Sequence, residues 1–224
     1  MTDELQRSSW KSASVFRRPL TSDRRRAVTH VVAGEFAFLV FTGVSIALHP
    51  GFVLKGDEGG LSDYGVHLAT TVPYTLALAL LAFHSRRAAL LFADDDQRSR
   101  RLRLLLSAYC SVVLLVLLST YVYTLNSVLK NVHFSFGTLL ILVVGVGSIW
   151  MYRLWPSTIA VRLLLAIQLT GDVLTLLTVI GAFHVLFLAE MLSNIGFASL
   201  LVRTCRRVDV EDRQMRASYK LPTT

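Results

Sequence analysis

Apolar residues fall in six blocks along the chain, at about 27–50, 66–84, 104–125, 133–155, 158–180 and 182–204, and polar segments separate them. A helix rising about 1.5 Å per residue needs roughly 20 residues to cross a hydrocarbon core of about 30 Å, and each block comes near that length. The pattern predicts an all-α, polytopic membrane protein with six transmembrane helices. It divides the chain into a basic segment over 1–26, a six-helix domain over 27–204 and a tail over 205–224. The first block exceeds the apolar core of a secretory signal and is read as a retained signal anchor.

Composition agrees with this pattern, since 53% of residues are hydrophobic and 17% charged. The net charge of +8 changes the picture only through its placement. In a six-span arrangement, 21 of the 23 Lys and Arg residues fall on one side and only Lys55 and Lys130 on the other. Basic residues accumulate on the cytoplasmic side, so both termini are predicted there, in the plasma or inner membrane. A nucleic-acid surface would not sort its charge in this way; membrane lipids are the expected contacts. Cys110 and Cys205 fall within or at the cytoplasmic end of spans, so no disulfide is expected.

The same topology gives each polar segment an address. "GDEGGLSDYGVH", residues 56–67, becomes an outer loop whose glycines serve turns and whose Asp57, Glu58 and Asp63 face water. On the inner side, Asp94, Asp95 and Asp96 end an extended second helix in a capped turn. Trp150, Tyr152 and Trp155 form an aromatic belt that Pro156 closes. Glycines 137, 145 and 147 allow close helix approach in the fourth span.

Ionisable groups inside a bilayer are costly, which makes Glu35, Asp172 and Glu190 the informative positions. Gly181 is the expected turn between spans five and six. Asp172 and Glu190 lie at equal sequence distance on either side of it, so a helical hairpin brings both to one depth, about 13 Å from the turn. Gln168, Asp172 and Thr175 share one face of span five, as Glu190, Ser193 and Asn194 do in span six. His67, Thr71 and Tyr74 form a comparable stripe on span two. These stripes predict an outward-facing polar pocket with Tyr74, Asp172, Glu190, Asn194, Gln168 and His67 as candidate ligand-binding residues. Glu35, one turn from His30, is expected to pair with it locally.

His49, His67, His133 and His184 lie at the outer ends of four spans. Histidine is a ready metal ligand, so this rim is a candidate zinc site. Phosphate loops, HExxH, GxSxG and CxxC motifs are absent from the sequence, which weighs against a common soluble-enzyme chemistry.

At "LSDYG", residues 61–65, the pattern of Ser62, Asp63 and Gly65 resembles small six-span bacterial membrane proteins of unknown function. These are grouped near the autophagy-modulator and FGF-receptor-activating-protein families. The resemblance implies six helices and no established catalytic residues. More loosely, the chain is similar to intramembrane metal hydrolases of the alkaline ceramidase type, which combine Ser, Asp and three His.

Three functions follow, in order of preference. The first is binding or transport of a small polar molecule, cation or lipid headgroup; the second is a non-catalytic partner or assembly role; the third is metal-dependent intramembrane hydrolysis. An enzyme is the less favoured class, and no protein partner is identified.

Overall fold

The computed structural model describes residues 20–54, 60–92, 96–154 and 158–219. Lys55, Asp57, Glu58, Asp94, Asp95, Trp155 and Pro156, which carry parts of the loop, turn and belt expectations, lie outside the described residues, as do the basic positions before 20.

The described residues form helices α1 (Leu20–Leu48), α2 (Asp63–Val66), α3 (Thr71–Leu91), α4 (Gln97–Thr120), α5 (Ser127–Leu154), α6 (Ile159–Val179) and α7 (Leu186–Tyr219). A 3-10 turn over Pro50–Leu54 follows α1. The long helices form a ring in chain order. α1 packs on α3, α3 on α4, α4 on α5, α5 on α6 and α6 on α7, and α7 returns to α1. Their outward faces are apolar, with Phe36, Leu118, Leu142 and Val146 exposed, and buried polar residues such as Gln168 and Thr175 point inward. That inversion of the soluble pattern suits a hydrocarbon solvent.

Five of the helices are long and apolar enough to cross a membrane: Asp23–Leu48, Gln97–Thr120, Ser127–Leu154, Ile159–Val179 and Leu186–Glu211. The sixth expected span corresponds to α3, which is not among them. His84, Ser85, Arg86 and Arg87 dilute its apolar character over the last third. The burial of α3 follows a helical stripe of Pro73, Tyr74, Ala77, Leu78, Leu81, Ala82, Ser85, Ala88 and Ala89 between α1 and α4. Small residues dominate the second half of this stripe and let backbones approach. A Cβ on Gly34 would stand 2.9 Å from the Cβ of His84 at that crossing.

Two sets of polar contacts define the ends of the ring. At the basic end, Arg24 Nη2 donates to Asp96 Oδ2 at 2.8 Å, and Arg98 Nη1 donates to Glu211 Oε2 at 2.7 Å. These contacts join the starts of α1 and α4 to the last part of α7. Asp96 also caps α4, accepting from the backbone N–H groups of Arg98 and Ser99 at 2.8 Å each. Partial burial raises its pKa, but the Ser99 bonds, the Arg24 guanidinium and the Arg98 N–H outweigh it and hold the carboxyl below its usual value.

The α6–α7 hairpin is the tightest crossing. Gly181 turns it with φ +80°, a left-handed conformation that glycine adopts without Cβ strain. A Cβ on Gly171 would stand 2.3 Å from the Ser193 nitrogen, and one on Gly196 would stand 2.4 Å from the Gln168 Cβ. Gly43 meets nothing within 4 Å. Overpacking a close crossing costs about 1–3 kcal/mol. Gly171→Ala and Gly196→Ala are therefore expected to lower the melting temperature in detergent, whereas Gly43→Ala holds or raises it. Equal melting of all three variants and wild type would contradict the close crossing.

Candidate functional site: a polar-capped cavity

The ring surrounds a partly open cavity of about 400 Å³, within the range of small-molecule sites. Its wall changes character along the helices. Near the 60–70 segment it carries Ser62, Asp63, Lys130, His133 and Glu190. Toward the bundle middle it is formed by Leu78, Leu81, Val113, Leu140 and Val144, with Tyr109 at the same level. Ser193, Asn194 and Thr175 supply polar groups from the α6–α7 side.

The 60–70 segment covers the polar end through bonds to several helices. The Leu61 N–H donates to Glu190 Oε2 at 2.7 Å. His133 Nε2 pairs with Ser62 Oγ at 2.9 Å and His133 Nδ1 with Ser119 Oγ at 2.8 Å. One imidazole nitrogen of His133 donates and the other accepts in its neutral form, so the ring bridges segment and helix. Tyr123 OH donates to Asp63 Oδ1, and Asp63 Oδ2 accepts the Gly60 N–H at 3.2 Å. Burial and then the Asp63 bond raise the Tyr123 pKa, so this phenol remains a donor. Tyr123 also stacks on His133, with ring centroids 4.8 Å apart.

The segment's backbone is equally committed. Thr70 Oγ1 donates to the Tyr64 carbonyl at 2.7 Å, and Thr71 Oγ1 donates to the Gly65 carbonyl at 3.0 Å. A Cβ on Gly65 would stand 2.4 Å from Thr120 Cγ2 and 2.6 Å from Tyr74 Cε1. Only glycine lets the segment descend onto α3 and α4 here. Within the Ser-Asp-x-Gly stretch, Ser62 thus bonds His133, Asp63 bonds Tyr123, and Gly65 permits the close approach.

Of the candidate ligand-binding residues, Tyr74, Glu190 and Asn194 line the cavity. Tyr74 OH also bonds Thr120 Oγ1 at 3.1 Å. Gln168 and Asp172 lie behind the wall. Gln168 Nε2 donates to Asp172 Oδ2 at 2.5 Å and Ser193 Oγ donates to Asp172 Oδ1 at 2.6 Å. The two carboxylates therefore serve different neighbours: Asp172 the α6–α7 seam, and Glu190 the covering segment. His67 precedes α3 in a turn and does not continue the Thr71 and Tyr74 stripe. Helix formation begins only at Thr71, because the 67–70 turn carries the chain up from α2.

His49 and His67 lie edge to face, with ring centroids 4.3 Å apart, against Phe52. The Nδ1 atoms of both are buried without a hydrogen-bond partner among the described residues. His133 belongs to the segment's bonds, and His184 lies exposed in the turn before α7. No three His, Cys, Asp or Glu side chains converge as a metal-holding group among the described residues. The four rim histidines therefore do not meet at one centre. The expected local pairing of Glu35 with His30 is corrected as well. His30 Nδ1 instead faces His84 Nδ1 across the α1–α3 crossing at 3.0 Å, which turns it away from its own helix.

Sequence reasoning missed His133 as the bridge to Ser62, and Tyr123 as the partner of Asp63. The available signal was the Ser-Asp-x-Gly stretch itself, because polar residues in a turn need partners when the turn is buried. Comparison with known proteins finds no matching family model, no matching curated protein and no matching solved structure.

Leaving a buried hydrogen-bonding group without its partner costs about 1–3 kcal/mol. His133→Ala and Tyr123→Phe should therefore speed amide hydrogen exchange across 60–70 by roughly tenfold, with His184→Ala at the wild-type rate. Unchanged exchange in the first two variants would contradict the bonding scheme.

Proposed function

We propose that the chain is a six-span protein of the cell membrane, with both termini cytoplasmic, whose cavity binds a small molecule bearing a polar group. A lipid headgroup, or a comparably small amphiphile, is the occupant best matched to the lining. The observation that carries this reading is the division of one cavity into a polar end and an apolar end. The polar end holds Glu190, His133 and Lys130, and the apolar end is formed by Leu81, Val113 and Val144. Apolar walls with a few convergent polar groups are the usual composition of a ligand site.

The topology rests on the charge split in the sequence, with α3 as the sixth crossing, shielded by α1 and α4 and carrying Arg86 and Arg87 toward the basic end. The Ser62, Asp63 and Gly65 resemblance supports the same six-helix architecture. No catalytic step belongs to this reading.

A second reading, a non-catalytic partner or assembly protein, draws support from the mutual bonding of the polar groups. Asp172 is held by Gln168 and Ser193, and Glu190 accepts from Leu61. Groups so engaged hold helices together without any ligand.

Two measurements test the proposal. Leu68 is 92% exposed at the segment end, and Arg100 is exposed at the basic end. Leu68→Cys should react with an impermeant maleimide in intact cells and Arg100→Cys only after permeabilisation; the reverse pattern defeats the topology. Thr138 lines the cavity, so Thr138→Trp fills it. Mass spectrometry of purified protein should find a small molecule on wild type that is absent from Thr138→Trp. An identical small-molecule complement on both favours the assembly role.

A further inference from the structure

A second concavity lies at the basic end, outside the ring, where α1, α6 and α7 meet. Its apolar wall is formed by Phe36, Leu39, Leu164 and Ala198, and it ends at Arg203, Arg206 and Arg207. Phe36 is 67% exposed, so the wall faces whatever surrounds the bundle. Arg203 Nε is buried and has no hydrogen-bond partner among the described residues. A guanidinium N–H withdrawn from water without an acceptor is costly, and a bound anion would satisfy it. Two carboxylates also line the groove, Glu35 and Glu211. Glu211 is already bonded to Arg98 at 2.7 Å.

We infer that this groove holds one anionic phospholipid, with its phosphate on Arg203 and Arg206 and its acyl chain along the Phe36, Leu39 and Leu164 wall. The inference rests on the membrane reading but is independent of any ligand in the central cavity. Charge and shape select the occupant together. A soluble anion would use the arginines and leave the apolar wall bare, a lipid without a phosphate would leave the buried N–H unmet, and a zwitterionic lipid such as phosphatidylcholine would set its choline cation beside Arg206 and Arg207. Basic pockets between membrane helices are suited to such head groups.

The test is native mass spectrometry of the full chain, purified in mild detergent and titrated with phosphatidylglycerol or phosphatidylcholine of the same acyl composition. Wild type should retain phosphatidylglycerol preferentially. Arg203→Gln/Arg206→Gln should lose roughly thirtyfold in retention, the scale of two basic groups near an anionic surface. Arg101→Gln, on the exposed surface of α4, should retain the lipid as wild type does. Ala198→Phe narrows the groove without touching its charge and should also lower retention, which keeps the inference testable if the double variant fails to fold. Equal retention of the two lipids, or full retention in Ala198→Phe, would overturn it. Excess inorganic phosphate should leave the bound lipid in place. Displacement by phosphate would reassign the arginines to a free anion and overturn the lipid assignment.

Discussion

The bond from the Leu61 N–H to Glu190 Oε2, spanning 129 residues of sequence, carries the constraint on which the rest of the structure depends. A segment that descends into the end of an apolar helix ring takes its peptide and side-chain polar groups away from water. Each then needs a partner inside the protein. Residues 60–70 meet that requirement from three directions: Glu190 on α7, His133 on α5, and Tyr123 in the turn between α4 and α5. Gly65 makes the descent possible by leaving room for Thr120 and Tyr74. The polar character of the cavity follows, because the groups that hold the segment are the groups that line that end of it.

The α6–α7 hairpin supplies the rigid side of this arrangement. Gly171 and Gly196 bring the two backbones into contact, and Asp172 fills the seam with bonds to Gln168 and Ser193. Once Asp172 is engaged there, Glu190 is the carboxylate that faces the segment. At the opposite end, Asp96 gathers Arg24, Ser99 and the start of α4. One end of the bundle thus carries buried neutral and acidic groups, and the other carries arginines, among them the buried Arg24. This gives the molecule two chemically distinct concavities.

Much of this was legible in the sequence where a single physical rule acts alone. Long apolar runs predict α1, α4, α5, α6 and α7, since nothing else buries such segments. Asp96 as a cap and Gly181 as a turn follow from local backbone chemistry. The shared face of Gln168, Asp172 and Thr175, all buried, follows from helical periodicity. What the sequence hides is choice among partners. His30 lies five residues before Glu35, which places the two on different faces of α1, and it meets His84 on α3 instead. His67 reads as part of a helical stripe, but the 67–70 turn redirects it toward His49. α3 is less apolar than the other long helices because His84, Ser85, Arg86 and Arg87 dilute it, and its burial between α1 and α4 becomes visible only in the tertiary structure.

The central claim is that residues 60–70 close the polar end of the cavity, and side-chain accessibility inside it tests this most directly. In a chain whose native cysteines, both buried, are replaced, Asn194→Cys would carry a single thiol on the cavity wall. Its rate of modification by a small impermeant thiosulfonate is the quantity to measure. The account predicts slow reaction with the segment intact and acceleration of roughly tenfold or more when Ser62→Ala and Asp63→Ala remove two of its bonds. Reaction at Asn194→Cys as fast as at an exposed Leu68→Cys, with the segment intact, would contradict it.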